Sequence, residues 1–459
     1  MKRKISLFVA LIMVVAMFAG CGSKTKPTTD DNQKSTTADT SKSSEEKNNE
    51  QEPEIKEQTL KVSVFQGGFG REYWDEVAKA FEAQNEGVTV EVTADPNIGE
   101  RIRNDILSND SPDFIYLSSR DKSGTTQSLI KDKGIADISD VMNKLEDKMI
   151  DGVLDNSLLS PYGDGKTYLA PFNFSSLGLW YNENYFKTND ITAPVTWDDF
   201  FELQNKITDR ALITYAGIYP GYLESLVFPA IASGAGKDTF DKLVKYDVAT
   251  LDSDEFKAIM EKFEKIASTK AIMNGTAGIN HTTSQAEFLM GKAAMIPNGS
   301  WIANEMKDAP REDGFTWGFA AAPVLKADND KYVVASMDEM YIPSASKNKE
   351  LAKKFLEFLY SDEAIKIQAE KAQSVPPLKG VADVIKPFVD EATGASYTLF
   401  DEGYKPLISN FAAVDNMTLV PRKEFFGTVG QVITGTKTKE EAIDYLKPIF
   451  EEAAKNIVK

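Results

Sequence analysis

The chain of 459 residues has one cysteine, Cys21, and one histidine, His281. A single thiol cannot close an internal disulfide, so whatever fold forms is held by packing alone. With no Cys in the folded body, a Cys–His nucleophile pair is excluded there, and one His excludes a multi-histidine metal site. No G-x-S-x-G elbow accompanies His281, which lies in Asn280-His281-Thr282-Thr283 just before a helix and reads as a hydrogen-bonding loop residue. Basic charge is also short: 52 Lys and Arg face 70 Asp and Glu, for a net charge of −18. Phosphate backbones need a basic surface, so nucleic acid is not an expected partner. The carboxylates are so numerous that two near any cleft mean little, and none is marked out as a glycosidase pair. The G-x-G-x-x-G dinucleotide fingerprint is missing too: Gly68 and Gly70 fit, but position 73 is Tyr. Neither a cofactor nor a metal is expected.

What is present begins with Lys2, Arg3 and Lys4, followed by an uncharged run from Ile5 to Gly20. A basic start and a short apolar run describe a secretory signal, here residues 1–20. The run ends Ala19-Gly20-Cys21, which resembles the bacterial lipobox, although Phe18 stands where an aliphatic residue is usual. Cys21 is therefore the expected lipidation site, anchoring the chain to the outer face of the cell membrane. Residues 21–58 are polar and nearly free of apolar side chains, too hydrophilic to order themselves. They form a tether with a coil span of roughly 30–36 Å.

The folded body begins near Thr59. Leu60, Val62 and Val64 alternate with polar residues as a strand does. Trp74, Val77 and Phe81 then mark a helix over 71–85, and Val88–Thr93 and Phe114–Leu117 read as strands around a helix at 98–108. This alternation predicts an α/β chain built on a parallel sheet with helices on both faces. Thr196-Trp197-Asp198-Asp199 and Thr438 with Glu441 are capping boxes opening further helices.

Aromatics gather at the ends of such elements. In QAEFLMGKAAMIPNGSW, a helix stops at Gly291, Ala293–Ile296 reads as a buried strand, and Pro297 should end it. Asn298-Gly299 then turns the chain, and Ser300 is placed to cap a helix over 302–307. Trp301 is thereby lifted toward a crevice, where an indole can stack on the apolar face of a sugar. Gly68 and Phe69 occupy the loop after the first strand, where α/β sheets bind ligands. Tyr219 and Tyr222 lie in TYAGIYPGY, a loop rather than a core stripe.

These stretches, with Tyr168-Leu169-Ala170-Pro171, Trp180-Tyr181-Asn182 and Gly291-Lys292-Ala293-Ala294-Met295, resemble the solute-binding lipoproteins of bacterial carbohydrate ABC importers. GGFGREYW, TYAGIYPGY and GTAGINHTTSQAEFLMGKAAMIPNGSW are similar to the branch that binds N-acetylglucosamine and diacetylchitobiose. The resemblance implies a two-lobed periplasmic-binding-protein-like fold whose hinge the chain crosses three times. Crossings are expected near 172–175, 320–324 and 375–378, giving one lobe of 59–173 plus 323–376 and another of 174–322 plus 377–459. It implies a non-catalytic monomer that takes a neutral mono- or oligosaccharide and passes it to membrane permease subunits. Stacking is expected from Trp301, Phe69 and one or two of Tyr219 and Tyr222. Polar contacts are expected from Asn298, Glu100, Ser118, Ser119, Asp338 and Glu339, with Arg422 as a further one. A tethered glycoside hydrolase and a binder of peptides or polyamines are the alternatives.

Overall fold

The computed structural model describes residues 57–67, 70–118, 123–154, 158–408 and 411–457. The signal sequence, Cys21, the tether, Gly68, Phe69 and Ser119 lie outside the described residues. Eleven strands occur among those described: β1 Gln58–Phe65, β2 Val88–Asp95, β3 Phe114–Leu117, β4 Ala170–Pro171, β5 Ser175–Asn182, β6 Ala211–Ile213, β7 Ala293–Gly299, β8 Trp317–Ala320, β9 Tyr332–Ser336, β10 Glu339–Tyr341 and β11 Lys405–Leu407.

β1 forms because its alternation buries Leu60, Val62 and Val64. The helix Glu72–Gln84 follows and buries Tyr73, Trp74, Val77 and Phe81 against them, then returns the chain to β2, parallel to β1. β3 joins on the other side, also parallel. The expected parallel grammar holds this far and then fails. β10 enters antiparallel beside β3, and β4 pairs antiparallel with β10, completing a sheet of order β2-β1-β3-β10-β4. The second sheet runs β11-β9-β5-β7-β6, and its central β5 is antiparallel to β7, β8 and β9. Strand direction here is set by distant returns of the chain, which local periodicity does not carry.

Two large cores accompany the two sheets. The first gathers side chains from Leu60 to Phe174 and again from Ala335 to Tyr397. The second takes Leu177 to Ala322, then Tyr332 and Val334, then Leu407 to Ala453. The chain therefore passes between cores after Phe174, after Val334 and after Tyr397. The last two passages fall downstream of the expected 320–324 and 375–378. β9 is held in the second sheet by β5 and β11, and Val381, Ala382, Ile385 and Tyr397 pack in the first core.

The first two passages run side by side. Ser175 of β5 faces Ser336 of β9, and Pro171 of β4 faces Glu339 of β10. Between these pairs the Phe172 amide donates to the Asp338 carbonyl at 2.8 Å, and the Asp338 amide donates to Asn173 Oδ1 at 2.9 Å. Asn173 Nδ2 returns a bond to Asp338 Oδ2 at 3.0 Å. A continuous two-strand ribbon thus joins one sheet to the other. Asn173 is buried, so Asn173→Ala would strand the Asp338 amide and remove a donor from its carboxylate. The expected cost is about 2–3 kcal/mol, read as a lower urea midpoint at unchanged slope.

Candidate ligand-binding site

A cavity of about 560 Å³ opens beside this ribbon, lined from both sheets. β1 and β3 contribute Phe65, Tyr116 and Ser118, and the ribbon contributes Asn173, Ser175, Ser336 and Asp338. From the second core's side come Tyr222, His281, Trp301, Glu305 and Trp317, and Phe388, Asp390 and Thr393 close a further wall.

Trp301 reaches the cavity by a route slightly different from the expected one. β7 continues through Pro297 to Gly299. Proline is tolerated because β6 pairs with β7 only as far as Met295, which leaves the strand an edge on that side. Asn298 is 1% exposed; its carbonyl accepts from Trp180 Nε1 at 3.1 Å and its Oδ1 accepts from the Gly299 amide at 2.8 Å. Gly299 is required by contact: a Cβ there would lie inside the Trp301 ring. The following helix is only Ile302–Glu305, and no side chain caps it. Ser300 is instead a partner of the buried Tyr397 phenol. Beneath, Trp180, Phe288, Ile296 and Ile302 form a small core of their own that supports this turn.

Four charged groups of the wall are engaged within the protein, and the exposed Lys307 lines it as well. Asp338 accepts from Asn173 at 3.0 Å, Tyr116 at 3.2 Å and Ser118 at 3.3 Å. Burial, with the Asp338 charge beside it, pushes the Tyr116 phenol well above its usual range, so the phenol stays a donor. Glu305 accepts from His281 and Gln285, each at 2.9 Å. Asp390 caps the helix Glu391–Asp401 through Thr393. Arg311 donates to the carbonyls of Met306, Lys307 and Ala309. Besides Lys307, the wall presents aromatic faces, hydroxyls and amides.

Of the residues expected at a site, Trp301, Tyr222, Ser118 and Asp338 line the cavity. Tyr219 is 57% exposed on its loop and Glu100 is exposed on the first turn of the helix Ile98–Leu107; neither is in the wall. Arg422 pairs with Glu224 and lies 4.9 Å over the Phe426 ring, away from the cavity wall. Asn298 is sealed in β7. Asp338 and Glu339 are adjacent along extended backbone, so their side chains point to opposite faces, and only Asp338 meets the cavity. Phe65, Tyr116, Trp317, Phe388, His281 and Glu305 line it without having been singled out for it. His281 reads in sequence as a hydrogen-bonding loop residue, whereas it opens the helix His281–Leu289 and lines the cavity; Tyr116 reads as core in any strand.

Glu339 is half-buried, and burial, with the Asp338 charge adding, pushes its carboxyl up to about 8. In the unfolded chain it ionises near 4.5. Between those values the unfolded state binds fewer protons, so stability falls as pH rises. Glu339→Gln should flatten that decline between about pH 5 and 8, as measured by urea midpoints across pH.

Residues 76–395 match the family model described as bacterial extracellular solute-binding protein. The diacetylchitobiose binding protein NgcE of Streptomyces coelicolor is 23% identical over 314 residues, 67% of this chain and 66% of its own length. A maltooligosaccharide ABC transporter solute-binding lipoprotein of Streptococcus pneumoniae is 27% identical over 412 residues, 87% of this chain and 86% of that one. Among solved structures, apo RafE from Streptococcus pneumoniae superposes with a TM-score of 0.71 at 19% identity, over 86% of this chain and 98% of that one. A chitin oligosaccharide binding protein gives 0.60 at 20% identity, over 87% and 100%. The family model covers well over half of the sequence, and the two-sheet fold agrees with it: this chain belongs to the bacterial extracellular solute-binding proteins.

Proposed function

We propose that this protein is the substrate-binding component of an ABC importer that captures a neutral sugar or oligosaccharide and delivers it to membrane permease subunits. The observation that carries this reading is the composition of the cavity wall. Trp301, Tyr222, Trp317 and Phe65 offer ring faces suited to pyranose C–H groups, and Ser118, Asn173 and Ser336 offer hydroxyl and amide partners. Internal engagement of Asp338, Glu305 and Asp390, beside an exposed Lys307 in the same wall, weighs against a polyamine. It also weighs against a glycosidase, because a general acid must hold a proton it can give to the ligand. Diacetylchitobiose is the first candidate, from the named Streptomyces relative, with N-acetylglucosamine and other β-gluco-oligosaccharides as the further sugars suggested by the sequence resemblance.

The two cores are the bodies of the two proposed lobes, and the cavity lies where both contribute side chains. A sugar touching both walls gains its full set of contacts only when they are close, so it shifts the population toward the closed form. The closed shape is what a permease would recognise. The protein acts as a monomer, hung from the membrane by a lipid on Cys21 and the tether that follows.

Titration calorimetry against N-acetylglucosamine, diacetylchitobiose, cellobiose, maltotriose, raffinose and spermidine tests the central reading. One or more sugars should bind, spermidine should not, and no sugar should be cleaved in the same tubes. Trp301→Ala should weaken the best sugar by at least about tenfold, the loss of one stack of about 1.4 kcal/mol. Binding by spermidine alone, or monomer released from a disaccharide, would overturn the assignment. For the anchor, Cys21→Ser should abolish incorporation of labelled palmitate and move the protein from the membrane fraction to the medium; labelling that persists rules out Cys21.

A further inference from the structure

One wall of the cavity is assembled from three segments far apart in sequence. The turn Pro220–Leu223 brings Tyr222, the helix His281–Leu289 brings His281 and Gln285, and the helix Ile302–Glu305 brings Glu305. The His281 imidazole stacks on the Tyr222 ring, with centroids 4.7 Å apart and planes within 15°. Its Nε2 lies 2.9 Å from Glu305 Oε2, and the buried Gln285 amide donates to the same oxygen at 2.9 Å. The Glu305 amide in turn donates to the Trp301 carbonyl at 2.9 Å.

The segments behind Tyr222 and His281 are themselves one unit. A Cβ at Gly217 would overlap the Thr276 carbonyl, so the TYAGIYPGY loop lies directly on the GTAGINH stretch. The Ile218 amide donates to the Ile279 carbonyl at 3.2 Å, and the Thr214 and Thr276 hydroxyls meet at 3.0 Å. Tyr222 and His281 thus project from a common base toward Glu305.

The proton positions follow from the partners. Glu305 Oε2, the Gln285 amide nitrogen and His281 Nε2 form one cluster, with Nε2 2.9 Å from the carboxylate and 3.0 Å from the amide; because a carboxylate only accepts, the bond to Glu305 requires a proton on Nε2. Nδ1 is buried with no hydrogen-bond partner. One ring nitrogen is engaged by Glu305 and the other is sealed from the cavity, which leaves the imidazole no polar edge to offer a ligand.

We propose that His281 is a positioning residue: with Glu305 it braces the Tyr222 ring against the helix that follows Trp301, fixing the two aromatic walls in one arrangement before a sugar arrives. This rests on the reading of the cavity as a sugar site. Rings fixed in advance lose no rotamer freedom on binding, so the brace acts on affinity through Tyr222 and not through a contact of its own.

Because the chain has a single histidine, the brace can be read without any ligand. A long-range 1H–15N spectrum of the uniformly labelled protein holds one imidazole, expected as the Nε2–H tautomer. Tyr222→Ala should move its ring protons downfield by removing the stacked ring, and Glu305→Gln should shift the Nε2 resonance. An Nδ1–H tautomer, or ring protons indifferent to Tyr222→Ala, overturns the brace whatever the ligand is. Calorimetry with diacetylchitobiose and maltotriose then reads its consequence. Tyr222→Ala should weaken binding about tenfold and His281→Ala about fivefold, while the double variant should be within about twofold of Tyr222→Ala alone. His281→Phe, which keeps a ring to stack on, should recover part of the loss, and thermal midpoints of all variants should confirm that they fold. Multiplying losses in the double variant would mean that His281 touches the sugar directly and would sink the proposal. If the parent protein binds neither sugar, the sugar assignment fails, and the imidazole spectrum still decides the brace.

Discussion

The clasp between Asn173 and Asp338 is the interaction on which the rest of the structure depends. Two chain passages meet there, and each backbone would otherwise have an unpaired stretch where it leaves one sheet and enters the next. The Asn173 side chain substitutes for a strand: its Oδ1 takes the Asp338 amide and its Nδ2 answers the carboxylate. Neighbouring helices hold the same spot, since Gln368 donates to the Phe172 carbonyl and Tyr360 to that of Pro171. The ribbon is therefore ordered without being buried in either sheet, which is what a joint between two bodies requires.

The same carboxylate also sets the character of the cavity. Tyr116 and Ser118, at the end of β3, donate to Asp338, so the first sheet's wall is oriented by a residue of the ribbon. Across the cavity the second wall is oriented by Glu305 through His281 and Gln285. In both walls an acidic group is spent on arranging aromatic and hydroxyl side chains.

Much of this was legible from residues alone, for identifiable reasons. The capping boxes at Thr196 and Thr438 form with their Asp199 and Glu441 partners because the signal is local and complete within four residues. β1, the helix after it, β2 and β3 follow from uninterrupted periodicity. Trp301 was legible as a cavity residue because Asn298-Gly299 frees backbone and space in front of it, though the turn needed neither a Ser300 cap nor an end to the strand at Pro297. Tyr116, Trp317 and Phe65 were not legible: an aromatic in a strand looks the same whether its far edge meets another core residue or a cleft. Glu305 was invisible for a different reason, since its meaning comes from a histidine twenty-four residues away.

The sequence by itself determined the class of the molecule: an acidic chain with one cysteine and one histidine, an α/β body with aromatics at its loop ends, and the motifs of a solute-binding family. These are properties of composition and of short-range pattern, and short-range pattern survives without coordinates. Tertiary structure alone decided the directions of β4, β5 and β10, the places where the chain changes core, and the membership of the cavity wall. Each of those depends on which distant segments come to lie within a few ångströms of one another, and that is settled by the packing of the whole chain.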